Sequence, residues 1–164
     1  MRITLLQFIP FGFFHWCESV WPGNWIREAT WVFAITETIH IMVLAVLLGT
    51  IFVVDLRLLG LGLKRRSVAQ LAKELMPWTL TSMILMALTG IPLFMSEATR
   101  LSQSAPFFYK MLFLALGLIT HFTIFRSSTH PGKAEGAGLG KLAACLSLAC
   151  WFGVAVAGRA IAFL

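Results

Sequence analysis

Apolar residues along this chain gather into four long runs separated by polar or glycine- and proline-rich stretches. The first, Trp31 to Val54, reads WVFAITETIHIMVLAVLLGTIFVV. At ~1.5 Å rise per residue, ~20 apolar residues cross a ~30 Å hydrocarbon core, so this run predicts a membrane-spanning helix. The second opens at Pro77 and Trp78 and continues to Met95, with Gly90 and Pro92 placed to kink its end. The third covers Phe107 to Phe125 and the fourth Leu142 to Phe163. The pattern predicts an all-α fold, an integral membrane four-helix bundle over residues 31–164.

Residues 1–30 have a different texture. Pro10, Gly12, Pro22 and Gly23 interrupt them, and Trp16, Trp21 and Trp25 precede Trp31. Tryptophan settles at headgroup level, so this segment is expected to lie along the membrane interface rather than to cross it. No small-residue cleavage site follows its short apolar run, and it is expected to be retained. His15 within it reads as a surface histidine.

Composition supports the membrane reading. Of 164 residues, 59% are hydrophobic and only 12% charged, which excludes a soluble domain of ordinary usage. The net charge of +6 then reflects basic loops that orient the chain, not a nucleic-acid surface. Arg57, Lys64, Arg65, Arg66, Lys73, Arg126, Lys133 and Lys141 lie in or beside the first and third loops. Arg2, Arg27, Arg100, Lys110 and Arg159 face the other side. This asymmetry predicts cytoplasmic first and third loops and periplasmic termini in a bacterial inner membrane. Cys17, Cys145 and Cys150 are too badly spaced for a disulfide scaffold and read as packing residues. Met76, Met83, Met86 and Met95 offer soft thioethers, but no histidine or cysteine accompanies them, so they read as core.

Chemistry concentrates in two runs. Thr36, Glu37 and His40 fall at i, i+1 and i+4, on roughly one face of the first predicted helix. Ionisable groups in hydrocarbon are costly and normally face a partner, a cavity or a cofactor. In the third run Lys110, Leu114, Gly117 and His121 form one stripe, with the glycine leaving a gap where a flat ligand approaches the backbone. Ala149, Gly153 and Ala157 give the fourth run a close-packing face, and Arg159 lies near the chain end.

If Trp31 and Phe107 mark the same surface, His40 lies ~14 Å deep, His121 ~21 Å and Lys110 ~5 Å. Ordinary tilt brings either of the latter level with His40. Two histidines on neighbouring helices are a usual way for such a bundle to hold b-type haem, one imidazole on each face of the iron. On this expectation His40 and His121 ligate the metal, Lys110 and Arg159 meet the propionates, and Glu37 orients the His40 ring. Lys110 is the alternative second ligand. The protein then moves electrons, alone, as a homo-oligomer or as a subunit of a larger membrane redox complex. Two other readings use the same residues: a structural subunit locked by a Glu37, His40 and Lys110 network, and a copper or small-solute carrier. A di-iron site is excluded, because Glu37-x-x-His40 has no second such pair.

The segments ETIHIMVLAVLLGTIFVVDLRLLGL, MPWTLTSMILMALTGIPLFMSEA, FYKMLFLALGL and KLAACLSLACWFGVAVAGRAIAF resemble an uncharacterised bacterial family of small four-helix membrane proteins. The resemblance covers most of the chain from Glu37 onward and is most specific at DLRLLG and the terminal GR. More distantly, a histidine in the first span and a lysine opening a later one resemble the HemJ-type protoporphyrinogen oxidase and the copper-resistance D membrane proteins. The former resemblance implies that His40 and Lys110 take part in haem b binding and activity. The chain departs from that oxidase elsewhere, and His121 matches neither relative.

Overall fold

The structure is a computed structural model that describes residues 9–62, 65–128 and 138–163. Arg2, Lys64 and Lys133 of the sequence analysis lie outside the described residues. Seven helices make up the described chain: α1 (Phe11–Ser19), α2 (Gly23–Glu28), α3 (Thr30–Leu58), α4 (Val68–Ser96), α5 (Ala98–Ser102), α6 (Ala105–Ser128) and α7 (Gly138–Ile161). Of these, α3, α4, α6 and α7 carry segments long and apolar enough to cross a membrane. The protein is an all-α membrane helical bundle.

Each long helix starts before its apolar run, and α4 does so most, nine residues before Pro77. The cause is local. Ser67 sits in extended conformation and its hydroxyl accepts from Gln70 N, while the Gln70 side chain accepts from Ser67 N, a reciprocal capping box. The first turns it launches bury Val68, Leu71 and Ala72. Pro77 and Pro92 both lie inside the helix, which continues through them to Ser96. Ser67→Ala removes the acceptor for Gln70 N and is expected to destabilise this end by ~1 kcal/mol. Faster amide exchange confined to the first two turns of α4 is the measurement, and unchanged exchange there refutes it.

The four spans form a ring in which α3 packs against α4 and α7, and α6 packs against α7 and α4. Helices α3 and α6 are therefore diagonal, not neighbours. One end of the ring holds the end of α3 and the start of α4, and the other holds α1, α2 and the end of α7; these are called the loop end and the terminal end. Three apolar clusters fill the interior. At the loop end Val54, Leu58, Val68, Ala72, Ile124 and Ala144 meet. In the middle Leu47, Ile51, Trp151 and Val154 pack with Phe113, Met83 and Met86 around them. At the terminal end Phe14, Cys17 and Ala98 pack with Phe94 and Met95.

The N-terminal segment folds as α1 and α2, which pack on α4 and α5. Glu18 Oε1 accepts from the Thr99 backbone N at 2.7 Å and ties α1 to α5. Trp16, Trp21, Trp25 and Trp31 all remain exposed, as interfacial tryptophans should. The methionines take the core places expected of them: Met83 and Met86 in the middle cluster, Met95 at the terminal end, and Met76 on the wall of a small cavity. Cys17 and Cys150 are buried, but Cys145 is exposed, because it falls on the outer face of α7.

Candidate functional site: a histidine and a lysine at the terminal end

His40 occupies the inner side of α3 facing α4. Its Nδ1 lies 2.7 Å from Thr89 Oγ1. Thr89 Oγ1 in turn donates to the Leu85 carbonyl at 2.7 Å, with a longer contact to Met86 O at 3.4 Å. A threonine hydroxyl has one hydrogen to give. In the arrangement in which Thr89 gives it to its own helix backbone, Thr89 accepts from His40 and the neutral imidazole carries its proton on Nδ1. Nε2 is left as the bare, basic nitrogen, with no hydrogen-bond partner among the described residues. Histidines that ligate metals are arranged this way, one nitrogen tied to the protein and the other presented to the ligand.

Gly90 makes the arrangement possible. A Cβ at that position would stand 3.0 Å from Cε1 of the His40 ring, closer than a carbon normally comes. The Cε1 edge of the ring comes this close to the α4 backbone because no side chain intervenes. The sequence marks Gly90 as part of a kink; in the fold its contribution is this close approach.

Lys110 comes to the same level. Phe107, one turn before it, stacks on Phe94 of α4 with ring centroids 5.4 Å apart, which sets the height of α6 against α4. The Lys110 side chain runs over Gly158 of α7, with Cε and Nζ 3.8 Å from where a Cβ would be. It is half-buried, has no acidic partner among the described residues, and its charge acts on His40. The site thus holds a nitrogen lone pair and an unpaired cation, from α3 and α6, on a floor of two glycines from α4 and α7.

Other residues singled out from sequence lie elsewhere. His121 is buried at the loop end, where it lines a cavity of about 10 Å³ with Val54, Ala72, Leu75, Met76, Thr79 and Ile124. Its neighbours on α4 end at Thr79, ten residues before Thr89, a separation of ~15 Å along the helix. An iron held from both faces needs its two imidazoles opposed at one level. The expected His40 and His121 pair is therefore not formed. Trp31 and Phe107 do not mark one surface: the first turns of α3 rise beyond the start of α6, so depths counted from the two residues are offset.

Gly117 does leave a gap, but the indole of Trp151 fills it, 3.2 Å from where a Cβ would be. No slot for a flat ligand remains there. Glu37, expected inside the bundle, is exposed and has no hydrogen-bond or ion-pair partner among the described residues. One residue is 100° on a helix, and that step turns Glu37 away from the interior side that Thr36 and His40 share. Arg159 is exposed too, with its guanidinium 5.0 Å from the centroid of the Phe163 ring, so it snorkels toward the chain end instead of serving the site. Of the small face on α7, Gly153 and Ala157 pack inward, and Ala149 is exposed.

Two further residues belong to the interior chemistry. Thr89 holds His40 Nδ1, and its signal in the sequence is its place beside Gly90. Asp55 marks only the end of a span in the sequence, yet it is 1% exposed. A carboxylate in an apolar run is the available signal.

A family model matches residues 13–164, nearly the whole chain. The chain belongs to DUF6644, a family of unknown function. No curated protein and no solved structure matches it. Membership extends over α1 and α2 as well as the four spans, so the N-terminal helices are part of the family's architecture. Among the described residues no three His, Cys, Asp or Glu side chains come together as a metal site.

Proposed function

We propose that this protein binds b-type haem at the terminal end of the bundle through His40 Nε2 alone and moves electrons as a component of a membrane redox system. The observation that carries the reading is the 2.7 Å contact of His40 Nδ1 with Thr89 Oγ1, which, with Thr89 donating to Leu85 O, leaves Nε2 as the lone-pair nitrogen. The donor set fits the group. A ferrous or ferric iron takes one neutral imidazole readily, and Lys110, a cation without a carboxylate partner among the described residues, suits a propionate. Bound haem would supply one-electron transfer at the iron. The chain's own work is to orient the imidazole, keep its lone pair free and neutralise the anionic edge of the group. A distant kinship with the HemJ-type oxidase, which we propose from the histidine of the first span and the lysine opening a later one, would give His40 and Lys110 these same roles.

The test is the absorption spectrum of the protein purified from haem-replete cells. A Soret band of five-coordinate, high-spin character is expected, because one imidazole leaves a face of the iron open. Colourless protein that takes up no added hemin refutes the reading and favours a structural subunit, in which the His40–Thr89 bond serves to join α3 to α4.

We place the protein in a bacterial inner membrane with both termini periplasmic, on the Lys and Arg asymmetry between its two ends. Reporter fusions following Lys73 and Leu164 are expected to report opposite sides, cytoplasmic and periplasmic. Both on one side, or the reverse assignment, overturns the placement.

A further inference from the structure

At the loop end, the interior holds polar atoms that the proposed haem site does not use. Asp55 is the only aspartate in the sequence and is 1% exposed. Its carboxyl faces Ser147 of α7, which is 0% exposed. Neither Asp55 Oδ2 nor Ser147 Oγ has a hydrogen-bond partner among the described residues, although each is fully enclosed. Two facing orphans in one place are unusual, since a buried unsatisfied polar atom costs about 1–3 kcal/mol, more for a charge.

We infer that Asp55 and Ser147 form an intramembrane proton-binding site in which the Asp55 carboxyl carries the proton and Ser147 Oγ accepts its hydrogen bond. One proton on Oδ2 satisfies both orphaned atoms at once. It also removes an ionised carboxylate from apolar surroundings, where it is most costly. The step is simple protonation: COO⁻ and H⁺ from water at the loop end give COOH, with no electron transferred.

A monovalent cation fits less well. Hard cations need a cage of several oxygens. The nearest hydroxyl pair is committed elsewhere: Thr50 donates to Leu47 O at 2.9 Å, and Thr79 bonds Thr50 at 3.0 Å. The backbone carbonyls here belong to unbroken helices.

The titratable groups around Asp55 support a neutral acid. On α3 itself, Arg57 Nε is bonded to the Arg66 carbonyl at 2.7 Å. From α4 come Val68 and Ala72, while Lys73 and Glu74 are exposed. On α7, Cys150 is buried within a turn of Ser147, and Lys141 is exposed. On α6, His121 borders the cavity beside Val54, the neighbour of Asp55. Trp151 Nε1, one turn beyond Ser147 on the same face of α7, is a third orphan among the described residues and continues the row toward Lys110.

Infrared spectroscopy of the full-length protein in liposomes tests this without reference to haem. Because Asp55 is the sole aspartate, a heavy-carbon label at the aspartate side-chain carboxyl marks its band alone. At neutral pH the label is expected to shift a carbonyl stretch characteristic of a protonated carboxylic acid. Asp55→Asn removes the band. Ser147→Ala keeps it but moves it to higher frequency, as a carboxyl freed of its hydrogen bond should. The inference is overturned if the labelled signal at neutral pH is that of a carboxylate, or if added sodium converts the acid band to one. It also fails if Ser147→Ala leaves the frequency unchanged. Should Asp55→Asn not fold, the label in the wild-type protein decides the matter by itself.

Discussion

His40→Ala is expected to abolish haem binding completely, while His121→Ala leaves the spectrum unaltered. The two histidines look equivalent along the sequence, and the fold separates them. His40 is half-buried with Nδ1 held by Thr89 and no hydrogen-bond partner on Nε2 among the described residues, whereas His121 is enclosed among Val54, Leu75 and Ile124 at the opposite end. His40→Ala removes the imidazole that the spans present at that level. Thr89→Val provides the finer control: the imidazole remains but loses its hydrogen-bonded anchor, so haem is retained less tightly, by the roughly 10–100-fold typical of such supporting residues. Gly90→Ala acts through space alone, forcing the ring from a contact that is already 3.0 Å. Titration of the purified variants with hemin measures all four. Loss of the Soret band in His121→Ala with retention in His40→Ala would reverse the assignment.

The second large effect falls on stability. Trp151 is 3% exposed and joins three helices: it packs with Leu47 and Ile51 of α3 and covers Gly117 of α6 from its own place on α7. Truncation to alanine leaves a cavity the size of an indole at the centre of the bundle. Within a bilayer the transfer of apolar surface from water contributes little to helix association, so the loss is of packing contacts. The expected cost is ~3 kcal/mol, the lower end of the range for buried Trp→Ala changes in water. Thermal denaturation in mild detergent should show a lowered midpoint, and a second variant, Gly117→Val, should show the same through overpacking against the indole. Wild-type stability in both would mean that the middle layer is not what holds α3 to the α6 and α7 pair.

The number and approximate limits of the spans were legible because a run of ~20 apolar residues is too long for an ordinary core element and matches the thickness of a bilayer. The interfacial tryptophans and the core methionines were equally legible, the first from residue chemistry and the second from the absence of harder ligands beside them. The early start of α4 was not, since Pro77 is a strong break signal while the capping box lies in a basic loop that reads as solvent. His40 and Lys110 were legible as functional candidates by type, polar groups in hydrocarbon.

Run length and residue chemistry along the chain thus specify the set of helices and the few side chains costly enough to need a purpose. Which of those side chains meet is settled by packing. Helical periodicity fixes a residue's direction around its own axis and its height along it, but the rotation and offset of one helix against the next come from packing. Phe107 on Phe94 sets α6 at the height where Lys110, not His121, reaches His40. Trp151 closes the gap at Gly117, and a single residue's step of 100° turns Glu37 outward beside an inward Thr36. Asp55 shows the same limit from the other side: its spacing marks only a helix end, and its meaning depends on which residue of α7 the fold sets before it.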